Sequence, residues 1–79
     1  VLFESGHRLV AVEVKSSISN DVDLIRGLFQ CVKYRAVMKA ECGFSGGAHS
    51  IDVLLVIGRR FPAGLQALQN SLGVRVVEI

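Results

Sequence analysis

The stretch Arg8-Leu-Val-Ala-Val-Glu-Val-Lys15 constrains the fold more than any other part of the chain. Its alternation is that of a half-buried strand: Leu9, Ala11, Glu13 and Lys15 share one face, and Val10, Val12 and Val14 share the other. A carboxylate and an ammonium therefore stand two positions apart near the end of an otherwise apolar strand. Along one face that spacing is roughly 7 Å, close enough for the pair to serve one ligand or a metal-bound phosphate together. The plainer reading is a solvated strand end with an ordinary Glu/Lys pair. The flanking sequence decides between the two.

Before this strand, Val1-Leu-Phe-Glu4 reads as a short strand and Ser5-Gly6-His7 as a tight turn, Gly6 supplying the positive φ. After it, Ser16 to Asn20 reads as a loop ending in a helix cap at Ser19 or Asn20. Asp21 and Asp23 follow in the first turn, where the helix dipole favours acids. A long helix is expected from about Asp21 to Glu41. Its sheet-facing stripe is expected to be Ile25, Leu28, Phe29, Val32, Ala36 and Val37. Gly27 costs that helix about 1 kcal/mol against alanine and permits close backbone approach. Gly43 to Ser50 reads as a glycine-rich loop. Ile51-Asp-Val-Leu-Leu-Val-Ile57 has the near-continuous apolar pattern of a central strand covered on both faces. Pro62 opens a shorter helix to about Leu72, Gly73 ends it, and Val74 to Ile79 form a last strand. The order β-β-α-β-α-β implies an α/β domain: a mixed sheet with helices packed on it and right-handed crossovers between parallel strands.

Seventy-nine residues make a single domain, 1–79, and a start at Val1 in place of methionine reads as an N-terminal truncation. A hydrophobic content of 51% excludes a disordered tail. Nine basic against seven acidic residues leave +2, too small a surplus to argue for nucleic acid, so any basic footprint must be local. Cys31 and Cys42 have no CxxC or zinc-ligand spacing, and no signal peptide is visible, so reduced thiols in a cytoplasmic protein are expected. The apolar runs are too short to span a membrane. Gly43-Phe-Ser-Gly-Gly47 formally matches G-x-S-x-G, but a nucleophile elbow follows a strand and precedes a helix, the reverse of its setting here. His49 and Asp52 beside it read as loop and strand-start residues, and His7 as an exposed turn residue. The glycine-rich loop lacks the Gly-Lys-Ser/Thr ending of a P-loop. Arg59 and Arg60 read as a solvated strand exit or as a phosphate-contacting pair.

Glu13-Val14-Lys15 at the end of a hairpin's second strand, followed by a helix and an apolar strand, resembles the core of the PD-(D/E)XK nuclease superfamily, the restriction-endonuclease-like fold. Gln30-Cys-Val-Lys-Tyr34 is similar to the Q-x-x-x-Y helix motif of its RecB-like and lambda-exonuclease-like branches. The resemblance covers the chain from the first hairpin strand nearly to its end and lacks the opening helix. It implies a Mg2+- or Mn2+-dependent endo- or exonuclease, or the nuclease core of a larger protein, acting on nucleic acid, with DNA the expected substrate. It assigns Glu13 as a carboxylate ligand, the Val14 carbonyl as a neutral ligand, and Lys15 as the group that orients the attacking water and stabilises charge. Gln30 and Tyr34 would line the substrate side, touching the phosphate or positioning Lys15, with Lys33 and Arg35 beside them to meet the nucleic-acid backbone.

Family enzymes also carry an aspartate on the preceding strand, and none stands there. Glu4 pairs near the hairpin tip with a residue between His7 and Leu9, and about 17 Å of strand separates Arg8 from Glu13, too far for one metal site. The position facing Glu13 falls just before Val1. An aspartate upstream and a degenerate site that never had one both fit. The alternatives are therefore a catalytically inactive nucleic-acid- or protein-binding module of the same fold, and an assembly domain completed by a partner chain. A homo-oligomer fits all of these, because so short a chain leaves sheet edges and one sheet face poorly covered.

Overall fold

The computed structural model describes residues 2–45 and 50–79. Its elements are β1 (Leu2–Ser5), β2 (Arg8–Lys15), α1 (Asp21–Ser45), β3 (Ser50–Ile57), a 3-10 turn (Ala63–Leu65) leading into α2 (Gln66–Leu72), and β4 (Arg75–Glu78). They form a small α/β fold, a four-stranded mixed sheet in the order β1-β2-β3-β4 with two helices. The β1–β2 hairpin is antiparallel, and β2, β3 and β4 are parallel. Gly6, at φ 59°, makes the hairpin turn.

Local chemistry sets the helix ends. Asn20 Oδ1 accepts the Asp23 N–H at 2.9 Å and Asp23 Oδ2 accepts the Asn20 N–H at 3.1 Å, a reciprocal cap that fixes the start of α1. At the other end α1 continues to Ser45, past the expected stop at Glu41. One glycine in a last turn costs about 1 kcal/mol, too little to end a helix held by packing along its length. The rest of the expected glycine-rich loop, with His49, lies outside the described residues. Gly73 ends α2 in the left-handed conformation, and the Arg35 guanidinium caps the same end, donating to Leu72 O at 2.6 Å and Gly73 O at 3.0 Å.

The face of α1 that packs on the sheet is the expected stripe only in part, at Leu28 and Val32. Leu24, Leu28, Cys31 and Met38 are buried, whereas Phe29 and Val37 remain 51% and 47% exposed and Ala36 is exposed. The helix is apolar over an arc wider than one sheet face can cover. The side that goes down is the one carrying Gly27, where the missing side chain lets the helix approach Leu55 and the Lys15 stem. Ala11, Val53, Leu55, Ile57, Phe61 and Val74 complete the core, with Leu65, Leu68 and Leu72 of the α2 region packed against it.

The strand β3 is central, as its composition suggests, yet it is covered on one face only. Val53, Leu55 and Ile57 are buried, while the alternating Leu54 and Val56 are only half-buried. Both helices pack on the face of the buried set, so among the described residues no helix lies over the other face. That face carries Phe3, Val10, Val12, Val14, Leu54, Val56 and Val77, as the strand register requires. Arg59 joins the loops: it donates to Ser19 O at 2.9 Å and lies 3.5 Å from Asp21 Oδ1, and so braces the start of α1 from the exit of β3. Among the described residues no helix is long and apolar enough to cross a membrane, and no disulfide joins Cys31 and Cys42.

Candidate functional site

The hairpin register leaves the last residues of β2 beyond the reach of β1. Leu2 pairs with Ala11, and Glu4 pairs with Leu9, so Glu4 is about 13 Å of strand away from Glu13. Carried on, the same register puts the position opposite Glu13 one residue ahead of Val1. Backbone carbonyls alternate in direction along a strand. Lys15 O accepts Gly58 N–H at 3.0 Å on the β3 side, so the Val14 carbonyl points the other way, along the flank where no described residue of β1 stands opposite.

On the helix side of the same strand end, three groups converge. The Tyr34 hydroxyl donates to Glu13 Oε2 at 3.0 Å, and Lys15 Nζ lies 3.8 Å from Glu13 Oε1. The sequence spacing alone puts the pair roughly 7 Å apart. The Lys15 stem lies against Gly27: a β-carbon there would be 3.4 Å from Lys15 Cε and 3.5 Å from Cγ. Glu13 and Lys15 keep 20% and 25% side-chain exposure, so the cluster is sheltered but open to solvent. The bond to Glu13 and its negative charge raise the Tyr34 hydroxyl pKa above its ordinary value, so the phenol remains a donor through the neutral range. Burial, followed by the Glu13 charge, pushes the Cys31 thiol up to about 11. Cys31 is thus an inert packing group beneath the carboxylate.

The remaining expected site residues separate. Gln30 and Lys33 are exposed on α1, where with Ile25, Arg26 and Phe29 they line a shallow depression of about 300 Å3. Lys33 and Tyr34 also border a groove of about 460 Å3 between α1 and the hairpin, lined in part by Ala11 and Met38. Arg35 turns away to cap α2 and is not gathered with Glu13. Sequence reasoning missed Cys31 and the positioning part of Gly27. The signal available was that Gly27, Cys31 and Tyr34 lie four and then three residues apart, one helix face.

Chemically the cluster offers one carboxylate, one peptide carbonyl free of the described ladder, one ammonium and one phenol. Glu13 and the Val14 carbonyl are hard oxygen donors of the kind Mg2+ takes, and Mg2+ is commonly held by one or two carboxylates with water and substrate phosphate completing its shell. Among the described residues no three His, Cys, Asp or Glu side chains come together as a metal-holding group. One carboxylate and one peptide carbonyl are therefore the hard oxygen donors that the described residues of the cluster offer. No protein-family model, curated protein or solved structure matches the chain.

Proposed function

We propose that this domain is a restriction-endonuclease-like core of the PD-(D/E)XK type, a metal-dependent nuclease that hydrolyses phosphodiester bonds in DNA. The observation that carries the reading is the meeting of the Glu13 carboxylate, the Lys15 ammonium and the Tyr34 hydroxyl at a strand end whose Val14 carbonyl faces outward. Bound Mg2+ or Mn2+, held by Glu13 and the Val14 carbonyl, would supply charge neutralisation at the phosphate and acidify a bound water.

The chain's own groups account for the rest. Tyr34 fixes the Glu13 carboxylate from the helix side and keeps one oxygen oriented. The Lys15 ammonium sits where it can hold the attacking water and balance the negative charge that builds on phosphorus. Its stem, pressed on Gly27, limits the rotamers available to it. Gln30, Lys33 and Arg26, exposed along α1, present hydrogen-bonding and cationic groups to the sugar-phosphate backbone.

A binding or assembly module of the same fold is the second reading. It is favoured by the single carboxylate at the cluster and the lack, among the described residues, of a three-ligand group. Cleavage of labelled linear, circular and single-stranded DNA with Mg2+ or Mn2+, beside a Glu13→Ala control, decides between them. Metal-dependent cutting that disappears in the control supports the nuclease. Equal behaviour of the two proteins sinks it in favour of the binding module.

A further inference from the structure

The helix α1 packs against β2 and β3, and the helix side of β1 stays open: Leu2, which shares that side with its pair Ala11, is 58% exposed. Between them runs the groove of about 460 Å3, within the roughly 300–1,000 Å3 of small-molecule sites. Leu2, Ala11, Val37, Met38 and the Tyr34 side chain give it apolar walls. Its charged lining residues, Lys33 and Glu41, are both exposed. Tyr34 ties the groove to the Glu13 cluster, because the same side chain donates its hydroxyl to Glu13 Oε2. Cations stand beside it without partners. Among the described residues Lys33 and Arg26 make no ion pair or hydrogen bond, whereas Arg8, Lys15, Arg35, Arg59 and Arg75 are engaged with carboxylates or carbonyls. Arg26 and Lys33 lie seven residues apart with Gln30 between them, so the three share one face of α1 over about 10 Å.

We infer that the groove receives an unpaired base of the strand whose phosphate lies at the Glu13 cluster, so that the substrate is single-stranded DNA. The inference rests on the nuclease reading of that cluster. The lining suits a base better than a phosphate. Apolar walls and an aromatic ring match the faces of any base. Glu41 repels a phosphate, yet its carboxylate accepts a hydrogen bond from an exocyclic amino group. The phosphates of neighbouring nucleotides fall to Lys33 and Arg26 along the same helix. In a duplex each base is stacked and paired, and it reaches such a groove only after extrusion at the cost of both. Magnitudes also favour the base as the main contact. Two cations neutralise about two phosphates, a log–log salt slope of only about −1.4 on single strands. With a net charge of +2 there is little further attraction to add.

Fluorescence anisotropy in metal-free buffer tests this with labelled probes: a short DNA single strand, the same strand annealed to its complement, and the same strand built of abasic nucleotides. The expected result is a single strand bound about tenfold more tightly than either of the others, the factor that stacking of one base supplies. Val37, 47% exposed, can be changed without disturbing the core. Val37→Asn, uncharged and of similar helix propensity, should remove most of that margin, whereas Phe3→Ser on the opposite face of the sheet should keep it. Abasic or duplex DNA bound as tightly as the single strand, no binding of the single strand, or a margin that Val37→Asn leaves intact overturns the proposal. None of these readouts uses cleavage. Metal-dependent cutting that Glu13→Ala abolishes, beside equal binding of all the probes, rejects the groove and keeps the nuclease. Base-dependent binding without cutting keeps the groove as a single-strand site and rejects the nuclease.

Discussion

Replacing Gly27 with alanine sets two effects of opposite sign against each other. In an exposed helix interior the change stabilises by about 1 kcal/mol, because glycine is the more flexible residue in the unfolded chain. Here the new β-carbon would stand 2.9 Å from Leu55 Cδ1, closer than carbon atoms pack, and 3.4 Å from Lys15 Cε. The lysine stem can slide toward solvent. Leu55 cannot: it is fully buried in the cluster that contains Leu24 and Leu28. Over-packing of that kind costs about 1–3 kcal/mol, so the net change is a loss of up to about 2 kcal/mol. In a domain of this size about 1 kcal/mol moves the midpoint of thermal unfolding by roughly 4–8 °C. A thermal melt should therefore show Gly27→Ala unchanged or lowered by up to roughly 15 °C. A double-mutant cycle isolates the cause. Leu55→Val removes the clashing methyl, so Gly27→Ala should cost less, or stabilise, in that background, with a coupling of about 1 kcal/mol. A rise of roughly 4–8 °C for Gly27→Ala alone, or additive single changes, would refute the close-approach argument.

Tyr34 is the chain's one tyrosine and tryptophan is absent, so absorbance near the phenolate band titrates it alone. Its midpoint should lie above 10 and fall toward the ordinary value in Glu13→Gln, and an unchanged midpoint would mean that the Glu13 bond is not made. Cys31 sets an alkaline limit. Its folded pKa of about 11 exceeds the unfolded 9.0, so the folded state binds more protons between those values, and its contribution is complete below about pH 9 and lost as pH rises to 11. Denaturant melts from pH 8 to 11 should lose on the order of 2 kcal/mol that Cys31→Ala does not lose. Arg35→Ala should cost about 1–2 kcal/mol by freeing the Leu72 and Gly73 carbonyls of α2. It should leave DNA cleavage within a few-fold of wild type, whereas an Arg35 that met the nucleic-acid backbone would lower affinity.

Much of the fold could be read from residues whose chemistry acts locally. The alternation of Arg8 to Lys15, Gly6 in its turn, Asn20 as cap, Pro62 before α2 and Gly73 after it each answer to backbone geometry or to hydrogen bonds within a few residues. What could not be read was set by packing at a distance. The arc of α1 that faces the sheet is legible only in part, at Leu28 and Val32 but not at Leu24 and Cys31, because the rest depends on where Gly27 meets Leu55, a contact made only after β3 is in place. The apolar run of β3 looks the same whether its second face is covered by its own chain or left for another surface. At the site, Glu13 and Lys15 were readable from their shared strand face, but i, i+4 geometry on α1 paired Tyr34 with the exposed Gln30, and the Tyr34 bond to Glu13 was not legible because it forms only once α1 lies on β2. Nor was the place of Arg35, because it was decided by the open carbonyls at the end of α2, and Arg59 was similarly claimed by Ser19 and Asp21.

The central claim, that Glu13 and the Val14 carbonyl hold a divalent ion in company with phosphate, is tested most directly by paramagnetic broadening. Mn2+ would be titrated into the labelled chain beside a cleavage-resistant phosphorothioate oligonucleotide. At the lowest Mn2+ additions the signals of Glu13, Val14, Lys15 and the Tyr34 ring should broaden first, and Glu13→Gln should abolish that order of effects. Broadening that begins instead around Asp21 and Asp23 or Asp52, or that is the same in the Glu13→Gln chain, would contradict it.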